Sequence, residues 1–235
     1  MDETILQLKQ VTKYFGSNIG VKDLSFCVRK GKITGLIGRN GSGKTTSMRI
    51  ITGLIRRFKG NIAWNIDDYT GFNNRNIGYA PEKLVMSGLQ TTHEFLTSLA
   101  MSRNNCGDYK KYISKMLEMF ELEKHRTKYI SSLSKGNLQK LSFIQAYMHD
   151  PRLVILDEPT SGIDPIVKKT MFDYIRERNQ NGITTMISSH RLDELERICD
   201  DVILIEAGKV VKTAPMETIL RERSSLEDYF IENLK

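Results

Sequence analysis

Eight consecutive residues, Gly38-Arg39-Asn40-Gly41-Ser42-Gly43-Lys44-Thr45, have the order of a loop built to hold a nucleoside triphosphate. Glycines let the backbone turn tightly enough for its N–H groups to point inward at phosphate oxygens. Lys44 would reach the β- and γ-phosphates, and the Thr45 hydroxyl would coordinate Mg²⁺. The expected triphosphate contacts are Asn40, Gly41, Ser42, Gly43, Lys44, Thr45 and Thr46. A second constellation lies far along the chain, where the apolar run 153–156 leads directly into Asp157-Glu158-Pro159. Carboxylates at the C-terminal end of a buried strand stand where open α/β sheets place their ligands. Asp157 is suited to hold Mg²⁺ through water, and Glu158 to deprotonate an attacking water.

These groups need strands to carry them. The apolar residues Ile33–Ile37 read as a buried strand feeding the glycine loop, and residues 45–51 as a helix whose N-terminus favours an anion. Residues 4–37 are otherwise β-rich, with Ile5, Leu8 and Val11, then Val21, Leu24, Phe26 and Val28, in short alternating runs. Short strands continue through 61–80. From about 91 to 148 the spacing becomes helical, as in Phe95, Leu96 and Leu99, then Ile113, Met116, Leu117 and Phe120. After Pro151 the pattern returns to α/β: strand 153–156, helix 165–180, strand 184–188, helix 192–199, and a hairpin turning through residues 206–209.

Composition limits the alternatives. The chain has 235 residues, 40% hydrophobic and 27% charged, enough to bury a large core. There is no apolar run of roughly 18 residues and the N-terminus is acidic, so neither a membrane span nor a secretory leader is expected. Cys27, Cys106 and Cys199 make no metal-spacing pair and are read as packing residues of a protein in a reducing compartment. The net charge of +7 suits nucleic acid, an anionic membrane surface or a solvated basic face. Its dispersal favours the last, and no nucleic-acid partner is expected.

Ordered motifs now converge. Leu133-Ser134-Lys135-Gly136-Asn137-Leu138-Gln139-Lys140 lies before the carboxylates, with Ser134 standing 23 residues ahead of Asp157. Gly136 allows close backbone approach, and a helix beginning near Asn137 would present its N-terminus to an anion. Read as an ordinary cap, the same segment would put Leu138, Leu141, Ile144 and Met148 in the core. Ser161-Gly162-Ile163-Asp164 and Ser188-Ser189-His190 follow. Together these motifs resemble the nucleotide-binding subunit of an ATP-binding cassette (ABC) transporter over roughly residues 4 to 212.

The resemblance implies a P-loop NTPase fold of the α/β class, with a RecA-like core, an antiparallel β subdomain and a helical subdomain carrying the signature. A single domain is expected: about 1–90 and 151–212 as the core with its β subdomain, about 91–150 as the helical part, and a C-terminal helix in 213–235. It implies ATP and Mg²⁺, with Glu158 and His190 catalytic and Thr45, Glu82 and Asp157 at the metal. It further implies a second protomer, a copy of this chain by preference, whose ATP is met by Ser134, Gly136, Asn137 and Asp164. Tyr14, or its neighbour Phe15, resembles the aromatic that stacks on adenine.

Two positions depart from the family pattern. Glu82 stands where a glutamine is usual, adding charge that should tighten divalent binding and resembling transporters that confer self-protection against lantibiotic peptides. In segment 133–140, which resembles the family's signature, Lys135 and Asn137 replace the commoner Gly and Gln, and Leu138-Gln139 replaces Gln-Gln. The expected partner is a transmembrane permease, docking on Leu84, Val85, Met86 and Leu89, with the chain cytoplasmic at the inner face of the membrane. The expected work is export of a peptide or drug-like substrate. The alternative is an ABC-type ATPase acting on nucleic acid or ribosomes.

Overall fold

The computed structural model describes residues 3–66, 76–84, 88–102 and 108–234. A long hairpin opens the chain, β1 (Thr4–Phe15) and β2 (Asn18–Arg29), followed by β3 (Ile33–Ile37) and α1 (Lys44–Ile51). Next come β4 (Lys59–Trp64), β5 (Ile77–Ala80), α2 (Thr92–Ser102), α3 (Tyr109–Met119) and α4 (Lys135–Tyr147). The rest alternates: β6 (Leu153–Asp157), α5 (Pro165–Gln180), β7 (Thr184–Ser188), α6 (Leu192–Ile198), β8 (Asp201–Glu206), β9 (Lys209–Pro215), α7 (Met216–Glu222) and α8 (Leu226–Asn233).

Two sheets form. β2-β1-β4 is antiparallel, and β5-β6-β7-β3-β8-β9 is parallel except for β9, which pairs antiparallel with β8. Every residue of β3, β6 and β7 is buried, as expected for strands covered on both faces. Alternation divides their side chains between two cores. Leu36, Leu153, Ile155 and Met186 pack with α1 and the antiparallel sheet. Ile37, Val154, Leu156 and Ile187 pack with the helices 92–148 and with α5.

The helical stretch is interrupted by two short 3₁₀ turns, Glu123–His125 and Ile130–Ser132. Its α4 begins at Lys135 rather than near Asn137, because the Ser134 side chain accepts from Asn137 N at 3.3 Å and caps the first turn. α4 lies directly on β5: a Cβ on Gly78 would come within 1.9 Å of Ala146 O, so only glycine allows this approach. An aromatic group fixes the same helix against α5, with Phe143 and Tyr147 5.1 Å apart and Tyr147 5.1 Å from Tyr174. The Tyr112 and Tyr174 hydroxyls meet at 3.0 Å.

Candidate active site

The glycine loop leaves the C-terminal end of β3, a central strand, and leads straight into α1. Gly38 cannot carry a side chain here, because a Cβ would lie 2.1 Å from Ile205 O of the neighbouring β8. The Lys44 ammonium, 7% exposed, donates to Gly38 O at 2.7 Å and Arg39 O at 3.1 Å and so holds the loop as a ring. Burial pushes the Lys44 pKa down, against the opposing pull of Glu158, Asp157, Glu206 and Glu82. Ser42 Oγ is buried without a hydrogen-bond partner.

The carboxylates arrive from β6. The parallel register sets Asp157 beside Ser188, and Ser188 Oγ donates to Asp157 Oδ1 at 2.7 Å. Asp157 Oδ2 is buried with no partner. Glu158, the next residue, has φ +52°, a left-handed conformation that a side chain adopts only when its surroundings impose it. Its N–H is held by Ser188 O at 3.2 Å and Ser188 Oγ at 3.1 Å. Its Oε2 accepts from His190 N at 3.3 Å, and His190 Nε2 stands 3.3 Å from Oε1 without hydrogen-bond alignment. Burial raises the Glu158 pKa, a shift moderated by His190 and Lys44 and reinforced by Asp157.

These segments enclose a cleft of about 360 Å³ lined by residues 40–46 together with Glu82, Asp157, Glu158 and His190. Phe15, Ile19 and Gly20 line it from the antiparallel sheet. Tyr14 does not: adjacent residues at the end of β1 point to opposite sides, and it is Phe15 that reaches the cleft. The Phe15 ring fits there because Gly20 has no side chain, a Cβ on Gly20 lying only 2.7 Å from the ring.

Ser134, Gly136, Asn137 and Asp164 lie outside this cleft. Ser134 is spent as a cap, the Asn137 amide meets His125 Nε2 at 3.0 Å, and Asp164 caps α5 by accepting from Val167 N at 3.0 Å. Of the expected docking residues, Val85 and Met86 lie outside the described residues, as does Cys106. Leu84 packs partly buried against the core, and Leu89 is exposed.

From sequence Ser188 enters only as a neighbour of His190 in its motif, with no role of its own, and Glu194 does not enter at all. A serine closing an apolar strand becomes informative only once the register puts it beside Asp157. Glu194, buried on α6, accepts from Thr160 Oγ1 at 2.9 Å and Lys168 Nζ at 2.7 Å, with Arg191 Nε also 2.9 Å away. It ties the loop after Glu158 to α5 and α6. Removing one partner of a buried ion pair leaves the others uncompensated, so Glu194→Ala is expected to cost about 3 kcal/mol of stability in urea unfolding. A loss under about 1 kcal/mol would show that the hub is not holding this loop.

A family profile described as ABC transporter matches residues 21–161. An uncharacterized ABC transporter ATP-binding protein of Methanocaldococcus jannaschii is 35% identical over 94% of this chain and 82% of its own length. The bacitracin transport ATP-binding protein BcrA of Bacillus licheniformis is 35% identical over 95% of this chain and 74% of its own. Among solved structures, an ATP-binding subunit of an ABC transporter superposes with a TM-score of 0.89 at 28% identity, covering 99% of this chain and 100% of the other. With a triphosphate loop, paired carboxylates and a histidine around one cleft, the chain belongs to the ABC transporter ATP-binding family, whose members bind and hydrolyse ATP.

Proposed function

We propose that this chain is the ATP-hydrolysing subunit of an exporter, energising a separate transmembrane permease for a peptide or drug-like substrate. The observation that carries the reading is the convergence of Lys44, Asp157, Glu158 and His190 on one cleft. In this reading ATP lies with its triphosphate along the N–H groups of residues 40–46 and its base against Phe15. Glu158 accepts a proton from the attacking water, and His190 orients that water and the γ-phosphate.

Mg²⁺ suits the donors present. Asp157 Oδ2 is buried, ionisable and unpartnered, and the Thr45 hydroxyl lines the same cleft. Among the described residues no three His, Cys, Asp or Glu side chains form a metal centre. The ion would therefore take most of its oxygens from phosphate and water, as Mg²⁺ prefers, with Glu82 nearby. When bound it would neutralise charge developing on the phosphates.

Ser134, Gly136, Asn137 and Asp164 cannot serve the cleft of their own chain in this conformation, which supports their use by a second copy. ATP would then be sandwiched between two protomers. Light scattering of Glu158→Gln with and without Mg-ATP tests this. A dimer that forms only with nucleotide is the expected result; a monomer at saturating Mg-ATP would remove the homodimeric sandwich.

Among the described residues no helix is long and apolar enough to cross a membrane, so coupling to transport needs a permease. A groove of about 160 Å³ lies between α1, β5, α2 and α4, lined by Leu54, Ile77, Tyr79, Leu99 and Met148, with Leu54 64% exposed. We place a permease segment there, and the chain peripherally at the inner face of the membrane. A charge at the rim should oppose apolar docking. Leu54→Glu is expected to abolish co-purification with the permease while leaving ATP affinity within about two-fold of the parent. Intact co-purification would move the docking site elsewhere.

The substrate class rests on the bacitracin transport relative. Vesicles carrying the complete transporter should show ATP turnover stimulated by a cyclic peptide antibiotic of that kind, and unchanged turnover would remove this class.

A further inference from the structure

Glu158 holds an unfavourable backbone conformation, and the contacts that impose it come from two directions. Ser188 of β7 clamps its N–H. The other peptide group, carrying the Glu158 carbonyl, accepts from Ser161 N at 3.3 Å in the loop that follows and, more closely, from a side chain in a different part of the fold. Gln139, in the second turn of α4 and 3% exposed, donates from Nε2 to Glu158 O at 3.0 Å. A buried amide of this kind is retained only if its polar atoms are used. α4 itself is fixed by its contact with β5 at Gly78 and by the Tyr147–Tyr174 stack, so the donor arrives from a rigid support.

We propose that Gln139 is a positioning residue for hydrolysis: its amide holds the Glu158 peptide in the left-handed conformation that places the carboxylate at the His190 N–H. The inference rests on Glu158 being the base. Ser188 restrains one side of the Glu158 Cα; the other side is held by the Ser161 N–H of the same loop and, from a separate element, by Gln139. Without Gln139 the carbonyl keeps only the longer Ser161 contact, which moves with the loop, so Glu158 relaxes toward an ordinary φ and the carboxylate leaves its enclosed position.

The test is steady-state ATP hydrolysis by the full chain with Gln139→Met, which keeps length and burial but lacks the donor. Gln139→Asn, whose amide is too short to reach, is the second variant. Ile144→Val, a packing change on the same helix, is the control for loosened structure. Both Gln139 variants should lower kcat about ten-fold, corresponding to ~1.4 kcal/mol of lost positioning, with KM for ATP within about two-fold. Ile144→Val should lower the melting temperature while leaving kcat within about two-fold of the parent.

The inference is overturned if Gln139→Met keeps the parental kcat, if KM for ATP rises in step with the fall in kcat, or if Ile144→Val lowers kcat as much as the Gln139 variants do. Glu158→Gln separates the two readings. If that variant is inactive while Gln139→Met behaves as the parent, only the positioning role is lost. If Glu158→Gln still turns over, the assignment of the base fails first.

Discussion

Glu158→Gln is expected to lower turnover about 1,000-fold while leaving ATP affinity at least as strong as in the parent. The amide oxygen can still accept from the His190 N–H, which reaches Oε2 at 3.3 Å, so the cleft keeps its shape. What disappears is the ability to take a proton. The substitution also removes a negative charge from beside the triphosphate, which favours binding of the anion. In the parent, burial raises the Glu158 pKa, so the active, ionised form is lost at a higher pH than for an exposed glutamate. As pH falls through that raised value, kcat should fall about ten-fold per unit.

Stability runs the opposite way. A folded-state pKa above the unfolded one gives a contribution complete below the unfolded pKa and lost as pH rises through the folded value. At neutral pH the ionised carboxylate is therefore a burden on the fold, and the Gln variant should melt at a higher temperature than the parent. Turnover above about a tenth of parental, with ATP binding intact, would remove Glu158 from the role of base.

Lys44→Ala should weaken ATP binding about 100-fold or more, read by calorimetric titration. The ammonium has two functions that alanine loses together. By donating to Gly38 O and Arg39 O it keeps the loop open around a central space, and among the described residues lining the cleft it is the one lysine or arginine. Lys44→Arg is not a rescue, because a planar guanidinium does not fit where an ammonium is enclosed by two carbonyls. Affinity within about three-fold of the parent in Lys44→Ala would mean that the backbone N–H groups alone bind the triphosphate.

Much of the architecture was legible because local chemistry and global fold agree. The stretch before the glycine loop reads as an interior strand, and β3 is Ile33–Ile37, buried throughout. The helix Pro165–Gln180 was equally plain in extent; that Asp164 caps it, with Pro165 in its first turn, is a finding of the structure. Less was legible where the decision belonged to side-chain direction. Tyr14 and Phe15 are equivalent as aromatics, and only the hairpin geometry and the bare backbone at Gly20 send Phe15 into the cleft. Of the apolar residues expected to dock a partner, Leu84 packs against the core and Leu89 is exposed, while a second groove, around Leu54, has no counterpart in the sequence pattern.

The sequence by itself determined the chemistry available: a triphosphate loop, two carboxylates, a histidine and a capped helix in fixed order, because each needs particular residue types at short range. The tertiary structure alone decided how those groups are held. Ser188 meets Asp157 through strand register, Gln139 meets Glu158 across 19 residues, and Glu194 gathers Thr160 and Lys168 from separate segments. Such contacts have no local signature, since a hydrogen bond between distant segments depends on the packing of whole elements rather than on the residues beside it.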